Sequence, residues 1–182
     1  MNEIVKLDIG CGSSKRDGYI GVDKLNFDCV DIVHDLNTLP YPFENDYADE
    51  IILDNVLEHL DDPIAVIHEL HRIGKNNCKV NIIVPYFRSF YSIIDPTHKN
   101  FFGYYYFFYF DKKHVFNQKY RYFNIFFNVK SVEFDRCITN NKIGLFHKII
   151  KKIANAYPMQ YEAKLSHLFP LNSIEYKLEV EK

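Results

Sequence analysis

The sequence predicts an α/β fold built on a mostly parallel sheet. Short runs rich in β-branched residues and leucine recur along the chain, separated by helix-like segments or long connections. That alternation is typical of strands joined by crossovers. The first run stops at the glycine turn "GCG". In such folds, the carboxyl ends of the strands form the edge where ligands bind, so the turn marks a candidate site.

Five strands are predicted in the first half of the chain. They cover residues 4–10, 19–23, 30–35, 49–54 and 78–86. Each is a short apolar run that meets a glycine, an aspartate or a proline at its end, and these residues typically terminate strands.

A helix is predicted over residues 61–75, between the fourth and fifth strands. Asp61 or Asp62 suits its N-cap, and Pro63 suits its first turn. Its apolar residues recur at helical spacing, which gives the helix one core-facing side: Ile64, Ile67, Leu70 and Ile73.

The second half is less regular. Residues 129–138 read as a strand, 145–157 and 161–169 as helices, and 173–181 as a last strand. More than half of the residues between Phe101 and Phe127 are Phe or Tyr. Our first interpretation of these rings is core packing; an acceptor cleft and a homodimer interface are the alternatives.

Bulk composition narrows the class of protein. The 182 residues suggest one domain, and the net charge of −2 gives no general attraction to nucleic acid. The four cysteines are scattered without a CxxC pair, so we expect reduced thiols and a cytoplasmic location. No stretch reads as a signal peptide or a transmembrane segment.

The glycine loop suits a nucleoside better than a dinucleotide. Gly10 and Gly12 let backbone approach a ligand closely, and Asp23 ends the neighbouring strand, where its carboxylate can accept hydrogen bonds from ribose hydroxyls. A dinucleotide site would need GxGxxG, a full helix, and an acid about 20 residues further on. Here the acid comes too soon, and no phosphate-binding loop sequence is present.

Several motifs together resemble class I S-adenosylmethionine (SAM)-dependent methyltransferases. They are "LDIGCG" (7–12), "GVD" (21–23), "HDLNTLPYPFENDYADEI" (34–51), "NVLEHL" (55–60) and "CKVNIIVPY" (78–86). The sequence is most similar to small, type 11-like methyltransferase-domain proteins often linked to polysaccharide or lipid-linked sugar biosynthesis. The resemblance implies a Rossmann-like sheet of seven strands, mostly parallel with an antiparallel last strand, and helices on both faces. It also implies a single domain over 1–182, with a cofactor-binding half (1–86) and an aromatic-rich acceptor-side half (87–182).

The resemblance also implies the cofactor SAM and the residues that bind it. The first motif would lie under the methionine part, Asp23 would hold the ribose, and two residues after the third strand would border the adenine. The expected set is Asp8, Gly10, Cys11, Gly12, Asp23, Lys24, Asp35, Leu36 and Asn55. The chain departs from the family where "SSKRDG" replaces most of the helix that follows the first motif.

Two histidines are candidate general bases for the transfer. His98, in "DPTHK", follows the fifth strand on the side where an acceptor would enter, and His59 ends "NVLEH". The alternatives are a loop histidine that bonds backbone and a helix-end residue that packs beside the cofactor. His68 and His71 lack the HExxH spacing and a third ligand, so no metal site is predicted.

Three functions follow from these observations. The leading one is a SAM-dependent methyltransferase acting on a small-molecule or glycan acceptor, including a lipid-linked sugar that would bring the protein to a membrane surface. The second is a non-catalytic module that keeps the fold and works as a partner or scaffold. A nucleic-acid methyltransferase is disfavoured, because "DNVLEH" stands where an Asn/Asp-Pro-Pro-aromatic run is usual.

Overall fold

The computed structural model describes residues 4–135 and 144–182, and these contain one seven-stranded sheet in the order β3-β2-β1-β4-β5-β7-β6. The strands are β1 (Lys6–Ile9), β2 (Ile20–Asp23), β3 (Ile32–Val33), β4 (Ala48–Asp54), β5 (Gly74–Pro85), β6 (Phe126–Phe134) and β7 (Ser173–Glu181). The first five pair in parallel, and β7 runs antiparallel to both β5 and β6. The predicted mixed sheet with an antiparallel last strand is confirmed.

Helices of unequal length pack around this sheet. They are α1 (Pro63–Ile73), α2 (Tyr91–Ile94), α3 (Val115–Tyr120), α4 (Leu145–Ala156) and α5 (Pro158–Gln160). The predicted start of α1 is confirmed, because the Asp62 carboxylate accepts a hydrogen bond from the Ala65 N–H at 3.0 Å and Pro63 occupies the first turn. None of the described helices is long and apolar enough to cross a membrane.

The helix predicted over 161–169 is wrong in extent. The chain forms α5 and then a π-helical turn, Tyr161–Leu165. The Ser166 N–H donates to the Tyr161 carbonyl at 2.8 Å, a five-residue hydrogen bond that closes the π-helical turn, and the Ser166 hydroxyl donates to the Glu162 carbonyl at 2.9 Å. The strand predicted over 129–138 begins earlier, at Phe126, and its predicted end lies outside the described residues.

The aromatic segment contributes to the core, as predicted. Phe102, Phe107, Phe110 and Phe127 are fully buried, and several neighbouring rings pack against the same cluster. Phe107 meets Tyr176 of β7 with ring centroids 4.7 Å apart. Burying such a side chain contributes about 1.5–3 kcal/mol, so this segment stabilises the sheet.

Candidate functional site

The glycine loop lies directly on the neighbouring strand. The N–H groups of Gly10 and Cys11 both donate to the Val22 carbonyl, at 2.7 and 3.2 Å. Gly10 and Gly12 have positive φ, at 74° and 55°, which only glycine adopts without strain. The Gly12 N–H then donates to the Asp23 carboxylate at 2.9 Å, so the end of β1 is joined to the end of β2.

Ion pairs hold the segment where the expected helix is absent. No helix forms between β1 and β2. Instead, the Arg16 N–H donates to the buried Asp8 carboxylate at 2.8 Å, and its guanidinium reaches Asp54 at 2.7 Å. Lys15 pairs with Asp31 at 2.7 Å. These contacts fix the loop against β1, β3 and β4 without helical hydrogen bonds.

A cavity of about 650 Å³ opens at this edge of the sheet. Its volume is typical of small-molecule sites. Eight residues predicted from the sequence line it, including the two loop glycines and the carboxylate at the end of β2: Gly10, Gly12, Asp23, Lys24, Asp35, Leu36, Asn55 and His59. The carboxyl ends of β1, β2 and β4 and the segment after β3 therefore converge on one space.

Three other predicted residues do not line the cavity. Asp8 is buried beneath the loop with Arg16, and Cys11 is buried with its Sγ 3.7 Å from the Gly12 carbonyl oxygen. Burial, with a smaller effect of Asp8, raises the pKa of the Cys11 thiol to about 11. His98 lies behind His59, with ring centroids 4.6 Å apart, and its Nδ1 is 3.2 Å from the Ser92 carbonyl oxygen.

Eight further lining residues were not among the predicted site residues. Six of them lie inside sequence segments quoted above, and Leu25 and Phe27 come shortly after Asp23; the six are Asn37, Val56, Leu60, Pro96, Thr97 and Lys99. Leu25 and Phe27 extend from the loop after β2 and remain partly exposed. These segments have no periodic pattern, so the available signal was adjacency to a predicted site residue, as for Val56 beside Asn55 and Thr97 beside His98. None of the aromatic side chains of 101–127 lines the cavity.

One wall of the cavity combines two distant segments. The 3-10 helix Leu57–His59 follows β4, and residues 95–100 follow α2. The N–H groups of Lys99 and Asn100 donate to the Glu58 carbonyl at 2.8 and 3.1 Å, and the Asn100 amide donates to the Leu60 carbonyl at 2.6 Å. These hydrogen bonds bring His98 beside His59.

A buried carboxylate lies beneath this wall. The Glu58 side chain is 1% exposed, and burial raises its pKa to about 8. Its Oε1 is 4.0 Å from the His98 Nε2, too far for a hydrogen bond. Burial and the neighbouring His98 lower the pKa of His59, whose Nδ1 lies 2.8 Å from the Thr97 hydroxyl oxygen.

Comparison with known proteins identifies the fold. No protein-family model matches the sequence, and no curated protein matches it. A SAM-dependent methyltransferase from Archaeoglobus fulgidus is similar in structure, with a TM-score of 0.55 and 21% identity over 97% of this chain and 86% of that one. A second similar structure is the complex between the Haloferax volcanii Trm112 methyltransferase activator and the putative methyltransferase. It matches with a TM-score of 0.60 and 13% identity, over 98% of this chain and 83% of that one.

A third similar structure has a different activity. The [4+2]-cyclase SpnF matches with a TM-score of 0.56 and 15% identity over 98% of this chain and 74% of that one. At these identities the likeness establishes the fold, which is the class I methyltransferase fold. Because one fold can carry several chemistries, the activity of this chain has to be argued from its own site.

Proposed function

We propose that this chain is a SAM-dependent methyltransferase that acts on a small-molecule or glycan acceptor. One observation carries the proposal: the glycine loop after β1 and the carboxylate that ends β2 meet on the same cavity, where the Gly12 N–H donates to Asp23 at 2.9 Å. This arrangement offers close backbone approach and a charged acceptor for two hydroxyls, which suits a nucleoside that carries no phosphate.

We assign a part of the cofactor to each wall of the cavity. In this proposal Asp23, with Lys24 beside it, holds the ribose, while Asp35 and Leu36 border the adenine. Asn55 faces the sulfonium. Gly10, Gly12 and the backbone of Cys11 lie under the methionine, and Asp8 acts from below by holding Arg16 and the loop.

The acceptor would enter beside the wall that the 3-10 helix Leu57–His59 forms with residues 95–100. His59, Thr97 and Lys99 line the cavity there, and His98 supports His59 from behind. Transfer from a sulfonium is an in-line displacement: the acceptor atom bonds to the methyl carbon while the C–S electron pair stays on sulfur. The donor is already activated, so alignment and exclusion of water contribute most of what the protein must supply.

Exposed apolar residues near this wall favour an acceptor with an apolar portion, such as a lipid-linked sugar. Phe90, Tyr91, Ile93 and Ile94 are each more than half exposed, and they immediately precede Pro96 and Thr97 of the cavity. Four large apolar side chains exposed on one short segment are unusual for a surface that contacts only water. They support a peripheral contact with the lipid that carries the acceptor.

The proposal includes the organisation and setting of the protein. We place the chain in one domain, 1–182, in which the half before residue 87 binds the cofactor and the half after it contributes Pro96, Thr97 and Lys99 to the acceptor side. The described cysteines Cys11, Cys29 and Cys78 are free thiols, which supports a cytoplasmic location. The net charge of −2 favours neither DNA nor RNA as acceptor, and a homodimer remains a prediction.

A non-catalytic module is the second candidate. The missing helix after β1 favours it, because one wall of the cofactor cleft then consists of a loop alone. The Haloferax volcanii neighbour is bound to an activator, and a partner of that kind could complete such a wall here. This function predicts tight protein binding without methyl transfer.

Calorimetric titration separates the two functions. We expect the purified chain to bind SAM and S-adenosylhomocysteine with micromolar dissociation constants and to show no heat with NAD, since the loop lacks a pyrophosphate site. Methyl transfer to lipid-linked and soluble sugars is then screened with labelled SAM. Absence of SAM binding would contradict the methyltransferase function and favour the non-catalytic module. Binding of NAD instead would contradict the assignment of the loop.

A further inference from the structure

Three potential metal ligands converge at the wall that the 3-10 helix Leu57–His59 forms with residues 95–100. Glu58, His59 and His98 each offer one ligand atom, and these atoms lie within 4.8 Å of one another. Glu58 is 1% exposed, and neither of its carboxylate oxygens has a hydrogen-bond partner among the described residues. A buried carboxyl group without partners is costly whether it is charged or neutral, so the two unpartnered oxygens favour a bound cation or ligand.

The hydrogen bonds around the two histidines fix which ring nitrogens are available. The Thr97 hydroxyl donates to the Asp95 carboxylate at 2.6 Å, so its oxygen accepts from the His59 Nδ1–H at 2.8 Å. The Ser92 carbonyl can only accept, so the His98 Nδ1, 3.2 Å away, also carries the proton. In both neutral rings, Nε2 therefore keeps its lone pair.

We propose that Glu58, His59 and His98 bind a divalent first-row transition-metal ion of the Zn²⁺ type. Two imidazole nitrogens and one carboxylate form a donor set that suits such an ion and leaves a coordination position open, whereas Mg²⁺ and Ca²⁺ favour oxygen ligands. Partners that hold the second ring nitrogen, as Thr97 and Ser92 do here, are the usual support of histidine ligands. His59 and Thr97 line the cavity, so an ion has a route in.

The site would act on the acceptor, and this use rests on the proposed function. An acceptor hydroxyl in the open position becomes more acidic and releases its proton to water. Its oxygen then forms the bond to the methyl carbon as the C–S bond breaks, and S-adenosylhomocysteine leaves with the electron pair. Binding of the ion itself does not depend on SAM.

Metal titration of the full chain, without SAM, tests the site. The protein is stripped with EDTA, dialysed, and titrated with ZnCl₂ by calorimetry, and Co²⁺ is added in parallel to record its visible absorption. We expect one Zn²⁺ per chain and a Co²⁺ spectrum typical of low coordination number. Glu58→Gln and His98→Gln should each weaken Zn²⁺ binding at least about tenfold, and Thr97→Val by about 10–100-fold because it frees the His59 ring.

His68→Gln is the matched control. His68 is a half-buried histidine on α1 outside the cluster, so its loss should leave Zn²⁺ binding unchanged. Circular dichroism of each metal-free variant checks that it folds. Two results would overturn the site: a chain that binds SAM but not Zn²⁺, or Zn²⁺ binding that stays intact in Glu58→Gln and His98→Gln. Either result would leave the proposed function standing. Zn²⁺ binding lost in both variants, in a chain that does not bind SAM, would support the site and count against the proposed function.

Discussion

Replacing Asp23 with alanine is expected to weaken SAM binding at least tenfold. The carboxylate accepts hydrogen bonds from the Gly12 and Leu25 N–H groups, both at 2.9 Å, and in the proposed complex it also accepts from the ribose. A hydrogen bond to a charged group contributes about 1.5–3 kcal/mol, and about 1.4 kcal/mol corresponds to a tenfold change in affinity. Calorimetric titration of both proteins with SAM measures the difference.

Two further variants separate binding from folding. Asp28→Ala removes an exposed carboxylate in the loop after β2 that does not line the cavity, so its SAM affinity should match the wild type. Asp23→Asn keeps one acceptor oxygen and should fall between wild type and Asp23→Ala. If Asp23→Ala unfolds at the wild-type temperature and binds SAM as tightly, Asp23 has no place in the site.

Replacing Gly10 with alanine is expected to destabilise the fold by about 2–5 kcal/mol. A Cβ at this position would lie 2.4 Å from Val56 Cγ2 and 2.9 Å from Cγ1, closer than side-chain atoms can pack. The φ of +74° adds backbone strain of about 1–2 kcal/mol, and forcing a methyl group into a packed site adds about 1–3 kcal/mol. For a chain of this size, the thermal unfolding midpoint should fall by roughly 4–20 °C.

Gly12→Ala is the control for the contact with Val56. Gly12 also has positive φ, at 55°, but a Cβ there meets nothing within 4 Å. The free energy of unfolding of Gly12→Ala should therefore fall only by the cost of the backbone strain, about 1–2 kcal/mol. Denaturant unfolding of both variants compares them directly. Equal losses would mean that Val56 moves aside and that close packing at Gly10 is not what requires a glycine.

The two glycines show which features of the loop the local sequence predicts and which it does not. The sequence alone predicted a turn at Gly10 and Gly12, because an apolar run stops there, and it placed Asp23 at the next strand end. It gave no reason why Gly10 is the more constrained of the two. That difference depends on Val56, 46 residues further on, whose side chain packs against the loop.

Where the chain lacks a pattern, the sequence predicted residues but not their contacts. It placed His98 on the acceptor side, and only the structure shows its ring 4.6 Å from the His59 ring and its Nδ1 3.2 Å from the Ser92 carbonyl oxygen. The sequence also predicted that the helix after the first motif is absent, but not what replaces it. The replacing contacts pair Arg16 with Asp8 and Asp54, which lie in three separate segments of the chain.

The sequence by itself determined where strands occur along the chain, α1 with its cap, and the acid that ends β2, because periodicity, turn residues and caps act over a few neighbours. The antiparallel final strand was expected only from the resemblance to class I methyltransferases. The cluster of Glu58, His59 and His98 was decided only by the tertiary structure. Residues 58 and 98 are far apart in the chain, and they meet because the N–H groups of Lys99 and Asn100 bond to the Glu58 carbonyl. No local pattern encodes that pairing, since its energy comes from contacts that exist only once the sheet has formed.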